Sequence, residues 1–278
     1  MITINHAVET QIENLLVVKI GGGEGLDLDR CVGDLVGLAA TRPLIIVHGV
    51  SAAMNALCAE RGIPVRTITS PTGHSSRYTD AQTRDAFVEA ADRVNAELVS
   101  RLQARCIQAT GMVGASAILH GERKTAIRAV VDGRVRMIRD DYSGTIGAVD
   151  GRLLLEALNA GYVPVVPPYA ASAGGLLNVD GDRASAAITG ALNAAELVIL
   201  SNVRGLYRSF PDEGSFVARV ERRELERALD WAQGRMKRKV LGAQEALAGG
   251  VRRVVIADGR SDSPVTSALS GIGTEFIA

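Results

Sequence analysis

Short apolar runs ending in glycine, proline or a polar residue alternate along this chain with longer amphipathic stretches. The runs are Leu15–Ile20, Leu44–Val47, Val163–Val166, Leu197–Leu200 and Val254–Ala257. They are apolar at nearly every position rather than at every second one, which predicts strands buried on both faces, as in a parallel sheet covered by helices. Segments Asp80–Leu102, Ala184–Asn193 and Met236–Ala248 carry helical patterning between them. The expected fold class is therefore α/β, a three-layer αβα sandwich around a largely parallel central sheet. At 278 residues with 47% hydrophobic content, the chain can fill such a core.

The stretch Ile118–Ile138 departs from this rhythm, because alternating β-branched and charged residues surround Val131-Asp132-Gly133-Arg134. An Asp-Gly between alternating segments predicts a β-hairpin. The stretch gathers Arg123, Lys124, Arg128, Arg134, Arg136 and Arg139 against Glu122 and Asp132, in a chain with 31 basic and 31 acidic residues. Charge patterning alone reads this equally well as an ordinary solvated hairpin. Overall neutrality argues against a general nucleic-acid binder, and 4% aromatic content leaves little for base stacking. Tyr169–Gly175 (YAASAGG) is the expected hinge between two lobes that share one sheet.

Cys31, Cys58 and Cys106 are far apart and have no nearby histidine cluster, so a reduced cytoplasmic protein without a zinc site is expected. The N-terminal MITINHAVETQIENLL lacks the basic start and apolar run of a signal peptide, and no stretch reaches the length of a membrane span. No membrane association is expected.

Four places carry candidate chemistry. Lys19-Ile20-Gly21-Gly22-Gly23 puts a lysine at the end of an apolar strand and glycines in the turn that follows, where ligands of α/β sheets bind. A helix beginning near Leu26 would aim its positive end the same way. A plain tight turn accounts for the glycines but not the lysine, which must be paired or used. Neither the P-loop nor the dinucleotide spacing is present. Val47-His48-Gly49-Val50-Ser51 ends the second strand in a similar turn, with His48 read as a packed structural residue and Ser51 as a helix cap. No Gly-x-Ser-x-Gly elbow accompanies them. Asn178-Val179-Asp180-Gly181-Asp182 sets an amide and two carboxylates before a helix, one of them expected to cap it. Gly234-Arg235-Met236-Lys237-Arg238-Lys239 opens a helix with four cations, which the helix dipole disfavours unless a polyanion is bound.

In this order, Lys-x-Gly-Gly, His-Gly, Asn-x-x-x-Asp and Met-x-x-Lys-Val resemble the amino acid kinase family, in the arrangement of N-acetylglutamate kinases, over nearly the whole chain past the first dozen residues. Ser76-Arg77-Tyr78-Thr79-Asp80, Arg123-Lys124-Thr125-Ala126, Asp141-Tyr142-Ser143-Gly144-Thr145, Ala232–Val240 and Ala257-Asp258-Gly259-Arg260 are similar to its carrier-protein branch. Members of that branch phosphorylate 2-aminoadipate held through its amino group on a small acidic carrier protein, in a lysine biosynthesis route.

The resemblance implies a carbamate kinase-like fold, with ATP and Mg2+ as cofactors and a homodimer as the expected assembly. It implies an arm over 1–14, an acceptor-binding lobe over about 15–175 and an ATP-binding lobe over about 176–278. Lys19, Lys239 and Asp182 would be catalytic. Gly49, Val50, Arg77 and Asn178 would bind substrate, and Gly21, Gly22, Ser201, Asn202, Tyr207 and Lys237 would bind ATP, with Gly21, Gly22 and Gly49 offering backbone N–H donors. Arg123, Lys124, Arg128, Arg134 and Arg136 would dock the carrier. Two departures stand out: Val50 replaces a second glycine of the His-Gly-Gly turn, and Asp180-Gly181 stands where N-acetylglutamate kinases tend to have Asn-Ala. N-acetylglutamate kinase proper, a kinase of another carrier-linked acid such as glutamate, and a non-catalytic amino-acid sensor remain open as alternatives.

Overall fold

Strands β1 (Leu16–Ile20) and β2 (Leu44–His48) are buried at every residue, as their continuous apolar runs require. Each turns into a helix: α1 (Leu28–Ala39), which starts two residues later than expected because the Asp27 carboxylate caps it, and α2 (Ser51–Glu60). The short antiparallel pair β3 (Thr67–Thr69) and β4 (Ser75–Arg77) leads to Asp80, which caps the long α3 (Ala81–Gln103). Then come β5 (Ala109–Gly111), β6 (Leu119–Arg123), β7 (Ile127–Val131), β8 (Arg134–Ile138), β9 (Gly144–Val149), α4 (Gly151–Asn159) and β10 (Val163–Val166). A hairpin of β11 (Tyr169–Ser172) and β12 (Gly175–Asn178) enters α5 (Gly181–Ala191). The chain ends through β13 (Glu196–Ser201), β14 (Leu206–Tyr207), β15 (Phe216–Val217), β16 (Arg219–Glu221), α6 (Leu225–Trp231), α7 (Arg235–Ala248), β17 (Arg253–Asp258), α8 (Pro264–Leu269) and β18 (Thr274–Ile277). This computed structural model describes residues 12–71, 75–131 and 134–278, so most of the expected N-terminal arm and the Asp132-Gly133 hairpin tip lie outside the described residues.

Among the described residues the central sheet has eight strands in the order β16-β18-β17-β13-β1-β2-β10-β5. From β17 to β5 every neighbour is parallel, and only β18 and β16 at one end run the other way. The pleat divides the apolar strands between two cores. Val17, Ile45, Val47, Leu197 and Ile199 face α5 and α7, whereas Leu16, Val18, Ile46, Val198 and Leu200 face α1, α3 and α8. Among the described helices none is long and apolar enough to cross a membrane.

Two expectations need correction. The hairpin expected around Asp132-Gly133 is there, with β7 paired to β8, but it does not extend over all of Ile118–Ile138: β6 pairs with β9 and β11 in a separate sheet. Alternation specifies strands without naming their partners, and here β6 lies so close to β9 and β11 that a Cβ on Gly121 would meet the Thr145 carbonyl oxygen at 2.7 Å and Ala170 Cβ at 3.0 Å. Tyr169–Gly175, expected as a hinge, is built as the β11–β12 hairpin. Tyr169 and Ala170 are fully buried, the Tyr169 hydroxyl donates to Asp92 at 2.8 Å, and Gly175, at φ +98°, makes a hairpin turn.

Candidate active site

The C-terminal ends of β1, β2 and β13 meet the N-termini of α2, α5 and α7. At their junction Lys19 Nζ lies 2.8 Å from one oxygen of Asp182, and Lys239 Nζ lies 3.0 Å from the other. All three residues are buried. Burial alone would raise the Asp182 carboxyl, yet the two ammonium groups hold it well below the usual carboxylate range. Burial lowers Lys239, against the pull of Asp182, and the charge of Lys19 adds to the lowering. Two cations sharing one anion leave an uncompensated positive charge in a site removed from water, which favours an anionic occupant.

Asp180, not Asp182, caps α5 by accepting from the Asp182 and Arg183 N–H groups, which leaves Asp182 free in the first turn to hold the lysines. Lys239 is brought to it by a close helix crossing. A Cβ on Gly242 would meet the Asp182 carbonyl oxygen at 3.0 Å, and one on Gly249 would meet Gly190 Cα at 3.2 Å. The two contacts run in the same chain direction, so α5 and α7 are parallel and both present their positive ends to the site.

The two glycine turns press against each other. A Cβ on Gly22 would lie 2.2 Å from the Gly49 carbonyl carbon, and one on Gly49 would lie 2.4 Å from Gly22 N. No side chain fits at either position. Ser51 is the first residue of α2 rather than its cap, and its hydroxyl donates to Gly22 O at 2.7 Å. The Gly49 N–H donates to Ile20 O at 2.8 Å, so the donor expected for substrate is engaged within the fold. Val50 turns its side chain into a core shared with Met54, Leu57 and Phe87, and its φ of −134° needs no glycine.

His48 is the packed residue expected. Asn95 Nδ2 donates to His48 Nε2 at 3.2 Å and to Val165 O at 2.9 Å, pinning the end of β2 to α3 and β10. Burial, with the charge of Lys19 adding to it, lowers the imidazole from 6.5 to about 4. A histidine depressed in this way contributes stability that is complete above its unfolded pKa and is lost as pH falls toward the folded one. We therefore expect wild-type stability to fall between about pH 6.5 and 4 by roughly 3 kcal/mol from this group, and His48→Gln to flatten that slope. Urea unfolding across this pH range checks it; equal slopes in both proteins would contradict it.

On β4, one guanidinium nitrogen of Arg77 donates to Asn55, and Nη1 is buried with no hydrogen-bond partner among the described residues. Burial, with the charge of Arg235 adding to it, lowers Arg77 from its ordinary value. Asn178 Nδ2 donates to Thr79 Oγ1 at 3.1 Å, two residues beyond Arg77. The buried Asp141 carboxylate accepts from the Thr79 and Ser143 N–H groups at 2.9 and 2.7 Å, tying the two segments together. The orphaned Nη1 is a donor prepared for an acceptor that the described residues do not supply.

Below Lys239 a cavity of about 170 Å³ is lined by Ser201, Asn202, Tyr207, Phe210, Trp231 and Met236, among others. Lys237 is exposed and does not line it. A larger open groove of about 760 Å³ lies between α3 and the β11–β12 turn, away from the lysines.

The geometry thus sets a doubly paired buried carboxylate beside an apolar cavity at the ends of parallel strands, with β4, which carries Arg77 and its unpartnered Nη1, tied to α7 and Asp180 through Arg238. The amino acid kinase family model matches residues 14–258. The chain belongs to the amino acid kinase family.

Within the family, the chain is 44% identical over 268 residues to the LysW-aminoadipate kinase of Deinococcus radiodurans, covering 95% of this chain and 92% of that protein. The enzyme of the same name from Thermus thermophilus is 44% identical over 94% of this chain and 99% of its own length. Among solved structures, the N-acetylglutamate synthase of Neisseria gonorrhoeae superposes with a TM-score of 0.77 at 27% identity over 96% of this chain; the present chain spans 60% of that synthase. Giardia lamblia carbamate kinase shares the fold alone, with a TM-score of 0.66 at 13% identity, covering 95% of this chain and 98% of that one.

Sequence reasoning missed Phe210 and Trp231 in the cavity wall. Tyr207 meets Phe210 and Phe216 edge to face, with centroids 5.6 and 5.5 Å apart. In a chain with only 4% aromatics, the spacing of Tyr207, Phe210, Phe216 and Trp231 was the available signal. The five basic residues expected to act together are dispersed. Arg123, on β6, stacks on Tyr142 at 3.8 Å and donates to two carbonyls. Lys124 is exposed in the connection that follows, and register puts Arg128 on one face of the hairpin with Arg134 and Arg136 on the other.

Proposed function

We propose that this protein transfers the γ-phosphoryl group of ATP to the side-chain carboxylate of 2-aminoadipate held through its amino group on a small carrier protein, producing an acyl phosphate in lysine biosynthesis. The observation that carries the reading is the buried Lys19–Asp182–Lys239 cluster, with its surplus positive charge, in a chain 44% identical to two LysW-aminoadipate kinases. A carboxylate is already ionised at neutral pH, so the reaction needs positioning and charge stabilisation rather than a base. In this reading Lys19 and Lys239 flank the transferring phosphoryl group and Asp182 fixes both. Gly21 and Gly22 line its approach. Ser201, Asn202 and Tyr207 border the nucleotide in the cavity of the C-terminal half, and magnesium arrives on the ATP phosphates.

The half before about residue 175 holds the acceptor. The unpaired Nη1 of Arg77 suits a carboxylate of the amino acid, with Asn178, which is bonded to Thr79 two residues further along the chain, as the second contact in this reading. Arg77→Lys is expected to raise the acceptor KM at least about tenfold with little change in the ATP KM, because an ammonium cannot reproduce the planar fork. A rise confined to the ATP KM would put Arg77 on the nucleotide side.

A carrier-linked glutamate is the second reading, favoured by relatives such as that of Pyrococcus horikoshii, named a putative LysW-aminoadipate/LysW-glutamate kinase, which is 33% identical over 87% of this chain and 94% of its own length. ADP release measured with carrier-bound 2-aminoadipate, carrier-bound glutamate and the free N-acetylated acids distinguishes the readings. Turnover with the first is expected, and turnover confined to the free acids would overturn the proposal.

A further inference from the structure

The first turns of α7 serve more than the lysine cluster. Arg235, Met236 and Lys239 line the cavity, and Lys239 also pairs with Asp182. Arg238 precedes Lys239 and so lies about 100° around the helix from it, reaching away from the cavity. One of its guanidinium nitrogens, Nη1, is 3.4 Å from Asp180 Oδ2. The other, Nη2, donates to the Ser75 carbonyl on β4.

Strand register explains why that carbonyl is open to a donor. β4 is an edge of its four-stranded sheet and pairs with β3 alone. Along an antiparallel pair, positions that exchange backbone hydrogen bonds alternate with positions that do not. The Tyr78 N–H donates to Arg66 O, which makes Ser76, two residues earlier, a bonded position and turns the backbone of Ser75 outward. Two residues beyond Ser75 stands Arg77 with its unpartnered Nη1. Among the described residues, the Arg238 contact is the only hydrogen bond between β4 and the chain beyond residue 175.

Asp180 carries the link on to the phosphoryl site. Its Oδ1 caps α5 while its Oδ2 faces Arg238, and Asp182, two residues later, holds both lysines. A partly exposed ion pair of this length adds little to stability, so its consequence is where β4 stands relative to the lysines. We propose that Arg238 is a positioning residue that couples the two substrates: by holding β4 against α5 and α7, it makes nucleotide bound along α7 favour the placement of Arg77 that receives the acceptor carboxylate. The inference rests on the assignment above of Arg77 to the acceptor and of the cavity to ATP. Linkage makes the coupling reciprocal, so nucleotide and acceptor tighten each other's binding by the same factor.

The test measures binding of carrier-bound 2-aminoadipate with and without a saturating non-hydrolysable ATP analogue and magnesium. In wild type the analogue is expected to tighten acceptor binding at least about fivefold. In Arg238→Met, which keeps the apolar stem, that tightening is expected to vanish, with binding of the analogue alone and the melting temperature unchanged. Its kcat is expected to fall about tenfold or more, because the reacting groups are no longer held in register. Arg238→Lys keeps the charge, but an ammonium cannot span both partners at once, so most of the tightening is expected to be lost there too. Arg183→Met removes the 2.6 Å pair with Glu245 between α5 and α7 without touching β4, and is expected to keep the wild-type factor. No tightening in wild type, or full tightening in either Arg238 variant, would overturn the coupling and leave the proposed reaction standing. Loss of tightening in Arg183→Met as well, or a lower melting temperature in Arg238→Met with weaker binding of the analogue alone, would make Arg238 a structural residue and overturn it too. A wild-type protein that neither binds nor phosphorylates the carrier-bound acid would overturn both proposals.

Discussion

Lys239→Ala is expected to lower kcat by about two to three orders of magnitude at saturating ATP, the usual consequence of removing one preorganised stabiliser of developing charge. Lys19→Ala is expected to do the same from the other half of the molecule. Each substitution leaves a neutral Lys–Asp pair where there had been two cations and one anion, so the fold should survive. The loss should therefore appear in turnover rather than in melting temperature. Steady-state kinetics on folded protein checks this, and near wild-type turnover in either variant would remove that lysine from the phosphoryl site.

Asp182→Asn is expected to do more damage to stability. It strips the shared counterion from two buried ammonium groups, and breaking a buried pair in this way costs about 3–5 kcal/mol. The sign of its pH dependence follows from the depressed carboxyl. A group held below its unfolded pKa contributes stability that is present above that pKa and lost as pH falls toward the folded value. The gap between wild type and Asp182→Asn should thus be full at neutral pH and begin to close only below about pH 4. Urea unfolding at neutral and acidic pH measures it. A variant as stable as wild type at neutral pH would mean that the lysines do not depend on Asp182.

Much of this architecture was legible because its sheet is parallel and doubly covered. Strands such as Leu16–Ile20 and Leu44–His48 must be apolar throughout, and short runs of that kind between helical segments fit few settings besides a sheet buried on both faces. Lys19 stood out for the same reason, as a charge in a run that otherwise excludes charge. Its partners did not show themselves by local pattern: Asp182 and Asp180 look alike before a helix, and only the crossing of α5 over α7 at Gly242 decides which one caps and which one pairs. The glycine turns were legible as turns, but the use of the Gly49 N–H by Ile20 depends on how two strand ends meet. β6 and the β11–β12 hairpin were misread because strand alternation and glycine content are local, whereas pairing is not.

The central claim is that this site makes an acyl phosphate on a tethered side chain, and capture of that product tests it most directly. Wild-type protein is incubated with ATP, magnesium, carrier-bound 2-aminoadipate and hydroxylamine, and the carrier is then analysed by mass spectrometry. The account predicts a hydroxamate at the aminoadipate side-chain carboxyl, formed in step with ADP release and slowed by about two to three orders of magnitude in Lys239→Ala. ADP release without hydroxamate, or a hydroxamate formed at the wild-type rate in Lys239→Ala, would contradict it.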